Sequence, residues 1–499
     1  MLAGHPGVAT IDTVEPLYAQ IDTLLDEVRR EGDERLHNWL PRLARADFAE
    51  SARNLAHYLT VRHRDLRPLQ KSLLALGLSS LGRLESRVAP TLLAVRASLA
   101  ALRGHPHAER PSAKQMFAGQ QRLRERTEAI FGHSPDKRPI ALMITCPSEA
   151  ADDPAFMLAL AERGVESIRI NCAHDNAAAW QRMIDHVRAA ERATGHRLRI
   201  FMDLAGPKIR TGMSHTPHGE KRITTGALLA IVPAGGLNHA DLPTDCFVVE
   251  CTLPEAVAAA KAGDHVVYDD GRMAAKVERV ERWGVVARIE RCADKGVKLK
   301  PEKGLNFPET DIDVAALTAI DRANLAFVAH HADGIGFSFV QSADDVTLLQ
   351  DALAGERADW ETLSLILKIE TPRAVANLPD IVVQAAGRQP TAIMIARGDL
   401  AAEIGFVRLA EIQEEILWIA EAAQLPAIWA TQVLEHLIKT GTPSRGEMTD
   451  AAMAARAECV MLNKGPFLLD AIEVLDTLLA RMDAHQHKKT PQLRALKSW

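Results

Sequence analysis

Lys368 and Glu370 close the apolar run TLSLILKIE, and Arg397, Gly398 and Asp399 close another, TAIMIARGD. Other apolar runs end in residues of the same kind: Arg169 and Asn171 in ESIRIN, Asp203 in RLRIFMDL, Ser338 after DGIGF, Thr431 and Gln432 after PAIWA. Carboxylates, two arginines and a lysine gathered in one place are too much charge for a stability feature, because buried charge without a partner is costly. The chemistry they suit is metal-assisted handling of an anion. Glu370 and Asp399, on neighbouring strand ends, are close enough to share one hard divalent ion, and Mg²⁺ typically takes only one or two carboxylates plus substrate oxygens. The same carboxylates could instead pair with Lys368 and Arg397, and spacing alone leaves both readings open.

What must position these groups is a set of strand ends. From Pro139 onward, short β-rich runs alternate with amphipathic helical segments, the pattern of an α/β fold with a parallel sheet. Eight strand candidates end near Thr145, Asn171, Leu204, Phe337, Glu370, Arg397, Thr431 and Asn463. That number fits a closed (β/α)8 TIM barrel, whose functional groups sit at the carboxyl ends of the strands. Between Gly212 and Lys303, period-two segments such as HVVYDDGRMAAKVERV replace the helices, predicting a small β lid domain inserted after the third strand. Residues 10–104 read as helices, with apolar positions three or four apart in IDTLLDEVRR, FAESARNLAHYLTVR, LRPLQKSLLALG and LGRLESRVAPTLLAVRASLAAL. GHPHAERPSAK and FGHSPDKRP read as linkers. The expected division is a helical N-terminal extension over 1–135, barrel over 136–212 and 303–485, lid over 213–302, and a basic tail over 486–499.

Of the 499 residues 47% are hydrophobic and 25% charged, the balance of a soluble globular chain. No apolar run approaches the ~18 residues of a membrane span. The start, MLAGHPGVATIDTVEP, lacks the basic and apolar regions of a secretory signal. Six scattered cysteines show neither zinc-site pairing nor disulfide density, so a cytoplasmic protein without a membrane partner is expected. The net charge of -6 hides an asymmetry: residues 41–130 hold 14 Arg and 2 Lys against 7 acids, or +9, leaving -15 for the rest. Nucleic acid is one partner for such a module, but aromatic stacking residues are scarce in it. An Arg-rich helical module docking on an acidic surface, of the barrel or of a neighbouring subunit, is the favoured reading, and a homo-oligomer is expected.

The motifs GVESIRINCAHD, FMDLAGPKIRTG, YDDG, KGLNFPETDID, GFSFVQSADDV, LILKIE, IMIARGDLAAEI and WATQVLEHLIKTGTPSRGE follow one another in order. Each alone is weak, but in this order, over residues 140 to about 484, they resemble the pyruvate kinase family. The resemblance implies a phosphotransferase that moves the phosphoryl group of phosphoenolpyruvate to ADP, giving pyruvate and ATP, on a barrel with a lid after its third strand. It implies Lys368 as the catalytic lysine beside the transferred phosphoryl, Glu370 and Asp399 as ligands of Mg²⁺ (or Mn²⁺), and Arg169 as the phosphate-binding arginine. Ala396, Arg397 and Gly398 match the helix start whose backbone N–H groups receive the substrate carboxylate, and Thr431 matches the threonine near the enolate carbon. Asn171, His174, Arg210 and Lys303 fall where the family meets the nucleotide, and Asp270 belongs to the lid. Read by themselves, His174 could be only a polar helix start and Asp270 only part of an Asp-Gly turn.

Four positions depart from the family's pattern. Ala173 stands where a serine binds K⁺, Ala205 where Lys precedes Gly-Pro, and Lys208 where Glu follows it, while Asn463-Lys464-Gly465-Pro466 replaces Ser-Gly-Glu-Thr. With Ala173, the monovalent-cation region around Asn171 and Asp203 lacks one oxygen, and the ammonium of Lys208 can supply a fixed positive charge there. K⁺ is therefore expected not to be required, although Lys208 could also be a solvated surface lysine. Beyond FLLDAIEVLDTLLARM only a basic tail follows, so the family's C-terminal effector domain, and sugar-phosphate activation at it, are not expected. Two other readings stay open. One is a catalytically silent regulatory or scaffolding barrel, against which the presence of Lys368, Glu370, Asp399, Arg169 and Thr431 weighs. The other is a different Mg²⁺-dependent enzyme of pyruvate or phosphoenolpyruvate, such as a lyase, against which the lid and KGLNFP weigh.

Overall fold

The computed structural model describes residues 11–132, 138–217, 220–239, 241–488 and 490–491. Eight short parallel strands form its centre: β1 (Ala141–Thr145), β2 (Ser167–Asn171), β3 (Arg199–Asp203), β4 (Gly334–Phe337), β5 (Ser364–Ile369), β6 (Thr391–Ala396), β7 (Ala427–Ala430) and β8 (Cys459–Leu462). They close in the order β1-β8-β7-β6-β5-β4-β3-β2, a (β/α)8 barrel. Each strand ends on, or one residue from, its expected position. Every residue of β1 and of β4 to β8 is buried, because helices cover one face and barrel side chains fill the other. That double burial is why these strands read as unbroken apolar runs. Several of the following helices start at polar caps, Asn176 for Ala177–Thr194 and the capping boxes Thr318–Asp321 and Ser342–Asp345 for the two helices flanking β4.

Strand register places the functional positions. Asn171 lies opposite Asp203 across β2 and β3, and Asp203 opposite Gly336 on β4. Ile369 of β5 pairs with Ile395 of β6, which brings Glu370 level with Ala396 and the helix that starts there.

Between β3 and β4 the chain builds a second sheet of seven strands, from Thr211–His215 to Leu305–Asn306. Its edges reach slightly beyond 213–302. This lid has its own apolar core, including Leu229, Ile231, Phe247, Val249, Val285 and Ile289. The outgoing and returning segments are clasped where they meet: Arg210 bridges Gly304, and Thr211 Oγ1 donates to Lys300 O at 2.7 Å.

The N-terminal extension folds into α1 (Ile11–Trp39), α2 (Ala49–Arg62), α3 (Arg67–Ala75), α4 (Val88–Leu102) and α5 (Ala113–Phe131). Two expectations need correction. The segment from Leu81 is not helical until Val88, because Leu81 has φ +60 and Arg87 leaves the helical region at φ -156. Helix α5 begins inside the GHPHAERPSAK linker, at a capping box formed by Ser112 and Gln115; its sparse apolar residues hide it from a periodicity reading. Residues 133–137 of the second linker and 492–499 of the tail lie outside the described residues.

The tip of α5 enters the barrel. Ile130 and Phe131 pack with Ala141, Met143, Phe201, Met394 and Met461, and the Phe131 and Phe201 rings are 5.8 Å apart. The extension docks on the barrel with an ion pair in the junction, Arg42 Nη1 lying 2.8 Å from Asp380 Oδ1. Some of its arginines turn onto acids of α1: Arg64 pairs with Glu27 and Glu31, Arg96 with Asp22, Arg103 with Glu15. Residues 1–40 hold 8 acids against 3 arginines, so the +9 of residues 41–130 falls to +4 over the module as a whole. Beside that ion pair the junction is polar and apolar. Ser51 Oγ donates to Gln424 Oε1 at 2.7 Å, Asn54 Nδ2 to Ala422 O at 2.8 Å, and Arg126 Nη1 to Gln424 O at 2.9 Å. α5 crosses so closely that a Cβ on Gly119 would collide with the Ser86 carbonyl.

Candidate active site

At the carboxyl end of β5, Lys368 Nζ lies 2.7 Å from Ser338 Oγ, 3.1 Å from Glu370 Oε1 and 3.4 Å from Asp203 Oδ2. Arg169 Nε donates to the same Asp203 oxygen at 2.7 Å, and its Nη1 to Thr145 Oγ1 at 3.3 Å. Lys368, Glu370 and Asp203 are all buried, so burial opposes each charge. For Lys368, Glu370 and Asp203 outweigh that penalty and hold the ammonium above its ordinary range. For Asp203, Arg169 and Lys368 do the same and keep the carboxyl low. For Glu370 burial wins over the attraction of Lys368 and, with Asp399 adding repulsion, lifts the carboxyl.

Glu370 Oε2 accepts from the backbone N–H of Phe339 at 2.6 Å, presented by a turn in which Phe339 has φ +56. Asp399 sits in the first turn of the helix Arg397–Ile404 and accepts from Lys208 Nζ at 2.6 Å. The mutual repulsion of Glu370 and Asp399 is what a divalent cation relieves, and two carboxylates are a hard-oxygen donor set that suits Mg²⁺ or Mn²⁺. The lid's Asp270 adds a further carboxylate nearby. Burial raises it against the pull of Lys208, while Asp399 and Asp269 repel it.

Arg397 does not bring its charge to this cluster. Its Nε donates to Ala430 O at 3.0 Å and Nη2 to Thr431 O at 2.6 Å; the guanidinium forks onto Asp450 and stacks 4.6 Å over the Trp429 ring. One arginine, Arg169, therefore converges with Lys368 rather than two, and Asp399 pairs with Lys208 rather than Arg397. What the helix start offers is backbone: Gly398 N donates to Thr431 Oγ1 at 2.8 Å. Thr431 has φ +63 and is followed by Gln432 at +57, an unusual conformation for a β-branched residue and one found where surrounding structure over-determines a loop.

The remaining positions frame the mouth. Asn171 Oδ1 accepts from Ala173 N at 3.1 Å, Arg210 Nη1 donates to Glu302 O at 3.1 Å, and Lys303 Nζ lies 3.0 Å from Asp269 Oδ1. Partial burial depresses the His174 ring pKa, with the nearby cations Lys464 and Arg210 adding to it. Lys208 does not join Asn171 and Asp203; its ammonium is on Asp399, on the carboxylate side of the site. Sequence reasoning assigned no role to Ser338, Thr145, Asp450 or Lys464. Ser338 was visible as a strand-end residue, but nothing in the chain signals that Asp450 reaches Arg397.

The family model "Pyruvate kinase, barrel domain" matches residues 140–466. A pyruvate kinase of Agrobacterium vitis is 32% identical over 361 residues, 69% of this chain and 70% of the relative. One from Mycobacterium tuberculosis is 30% identical over 360 residues, again 69% and 70%. The crystal structure of a pyruvate kinase from Cryptosporidium parvum superposes with a TM-score of 0.61 at 25% identity, covering 72% of each chain. The chain belongs to the pyruvate kinase family. The matched span holds the whole charged cluster, from Arg169 to Thr431, and leaves out α1 to α5. This pyruvate kinase barrel is therefore closed beneath by a segment outside the family match. No helix among the described residues is long and apolar enough to cross a membrane.

Proposed function

We propose that this chain transfers the phosphoryl group of phosphoenolpyruvate to ADP, with Mg²⁺ as the required ion. The observation that carries the reading is the Lys368 ammonium, dry and held charged by Glu370 and Asp203, one strand from the helix start at Arg397 and two from Thr431. In the reaction the bond between the enol oxygen and phosphorus breaks, a β-phosphate oxygen of ADP takes the phosphorus, and the enolate carbon then accepts a proton to give pyruvate. Phosphoryl transfer depends mainly on positioning and charge neutralisation. Arg169 and Lys368 neutralise the passing group, and Lys368 steadies the charge that grows on the enol oxygen. The N–H groups at Arg397 and Gly398 suit the substrate carboxylate. Thr431 orients the face of the enolate that is protonated. Glu370 and Asp399 would hold Mg²⁺, which would supply positive charge to substrate oxygens. Arg210, Lys303 and Lys464 form the cationic rim for the nucleotide, with His174 beside them as a neutral imidazole.

The reaction needs no K⁺ in this reading. Asn171 Oδ1 is engaged by Ala173 N and Asp203 Oδ2 by Arg169 and Lys368, and with the serine oxygen replaced by Ala173 the expected cage is left with Asp203 Oδ1, which has no hydrogen-bond partner among the described residues. A coupled pyruvate-release assay with phosphoenolpyruvate, Mg²⁺ and ADP, repeated with other nucleoside diphosphates, tests the proposal. Release of pyruvate only when a nucleoside diphosphate is present supports it, and release without one points to a lyase or phosphatase.

A further inference from the structure

The strap that returns from the lid to the barrel, residues 303–314, does not lie flush against the loops below it. Under it is a cavity of about 230 Å³, walled by the lid root on one side and by the segments after β4, β5 and β6 on the other. Its apolar lining includes Ile209, Leu253, Leu305, Phe307, Phe339 and Pro372. Of the charged residues in the catalytic cluster, only Lys208 and Asp399 reach it.

Four carboxylates and two cations line this space; two of the carboxylates already have a cation, and a third has an imidazole nitrogen. Asp399 has Lys208 at 2.6 Å, Asp311 has Arg373 at 3.4 Å, and Glu309 has His265 Nδ1 at 2.9 Å. Glu403 is different. Its hydrogen-bond partner among the described residues is the neutral amide of Asn306, whose Nδ2 donates at 2.7 Å. Burial pushes this carboxyl up to about 7, the Asn306 hydrogen bond opposing the rise and Asp399 and Glu309 adding to it. A carboxylate short of solvent and answered only by a neutral donor gains more from a cation than from any other partner. An anion would meet a lining that already carries two more negative than positive side chains.

We propose that this cavity binds a small primary ammonium compound with an apolar body, the body against Leu305, Phe307 and Phe339 and the charge on Glu403. A pocket below about 300 Å³ suits a fragment-sized ligand rather than a drug-sized one. Such a ligand touches the strap and the barrel loops at once, so it joins lid to barrel without entering the cluster around Lys368.

Calorimetry on the full chain with phenethylamine tests the site, beside its alcohol isostere 2-phenylethanol and the anion 3-phenylpropanoate. One amine should bind per chain, about tenfold or more tighter than the alcohol, the scale of one charge-assisted contact, and the anion should not displace it. Glu403→Gln should bring the amine down to the alcohol's affinity, and Phe307→Ala should weaken both. Equal binding of amine and alcohol to the unmodified chain, or no amine binding at millimolar concentration, overturns the proposal whatever the variants do. So does competition between the amine and phosphoenolpyruvate, which would put the amine in the substrate site.

Discussion

Lys208 Nζ stands 2.6 Å from Asp399 Oδ1, tying the segment that enters the lid to the helix that follows β6. It is a covalently fixed positive charge beside a carboxylate of the proposed metal pair. With Ala173 taking one oxygen from the region of Asn171 and Asp203, activity should be nearly equal in Na⁺, K⁺ and tetramethylammonium at constant ionic strength. Lys208→Glu sets two carboxylates against each other and should lower kcat/KM by about tenfold or more, the equivalent of about 1.4 kcal/mol. A severalfold rise in kcat when K⁺ is added to the unmodified protein would contradict the assignment.

Lys368 touches Glu370, Asp203 and Ser338 at once, so structural and catalytic roles must be told apart. If its charge acts on the transferring phosphoryl, Lys368→Met should cut kcat by about 10²-fold or more while KM for phosphoenolpyruvate moves little. An effect on KM alone would mark it as a binding residue. Glu370→Ala and Asp399→Ala should each be as severe, and near-normal turnover in both would remove the metal assignment.

Asp450 holds Arg397 in a fork, and Arg397 in turn holds the backbone of Thr431. Asp450→Ala leaves a nearly buried guanidinium without its partner, which should cost up to about 3 kcal/mol in urea unfolding. Because the Thr431 loop loses its anchor, kcat should fall in Asp450→Asn as well. Full activity in both variants would show that the left-handed turn at Thr431 holds without Arg397.

Phe131 is fully buried at the closed end of the barrel. Phe131→Ala should destabilise the chain by about 3–5 kcal/mol, the cost of removing a core aromatic ring. A melting curve unchanged by the substitution would mean that α5 is not part of the cooperative unit.

Glu403 gives a pH signature. Its folded carboxyl is raised from 4.5 to about 7, so between those values the folded state binds more protons than the unfolded one and stability falls as pH rises. Glu403→Gln should therefore melt higher than the unmodified chain at pH 8 and lose that advantage by pH 5. A difference in melting that is constant from pH 5 to 8 would show an unshifted carboxyl.

The barrel and its charged rim were legible in the chain because both are local patterns. A strand buried on both faces is a short unbroken apolar run, and the residue that ends it lies at the site, so Arg169, Asp203, Ser338, Lys368, Glu370, Asp399 and Thr431 were all visible as strand-end or next-turn residues. Side-chain direction and partner choice were not legible. Arg397 ends the same kind of run as Lys368, yet it turns onto Asp450, 53 residues away, and Lys208 reaches Asp399 across 191 residues rather than Asn171 or Asp203. The +9 window was real as a count but misleading as a surface, since α1 folds acids onto Arg64, Arg96 and Arg103 and the module as a whole carries +4. By itself the sequence determined the strands, their number, the inserted lid and the residue types at the rim, all consequences of periodicity along the chain. Which charge answers which, where α5 closes the barrel, and the cavity beneath the strap were decided only by tertiary structure. Ion pairs and close packing depend on distances in space between segments whose separation along the chain carries no information about them.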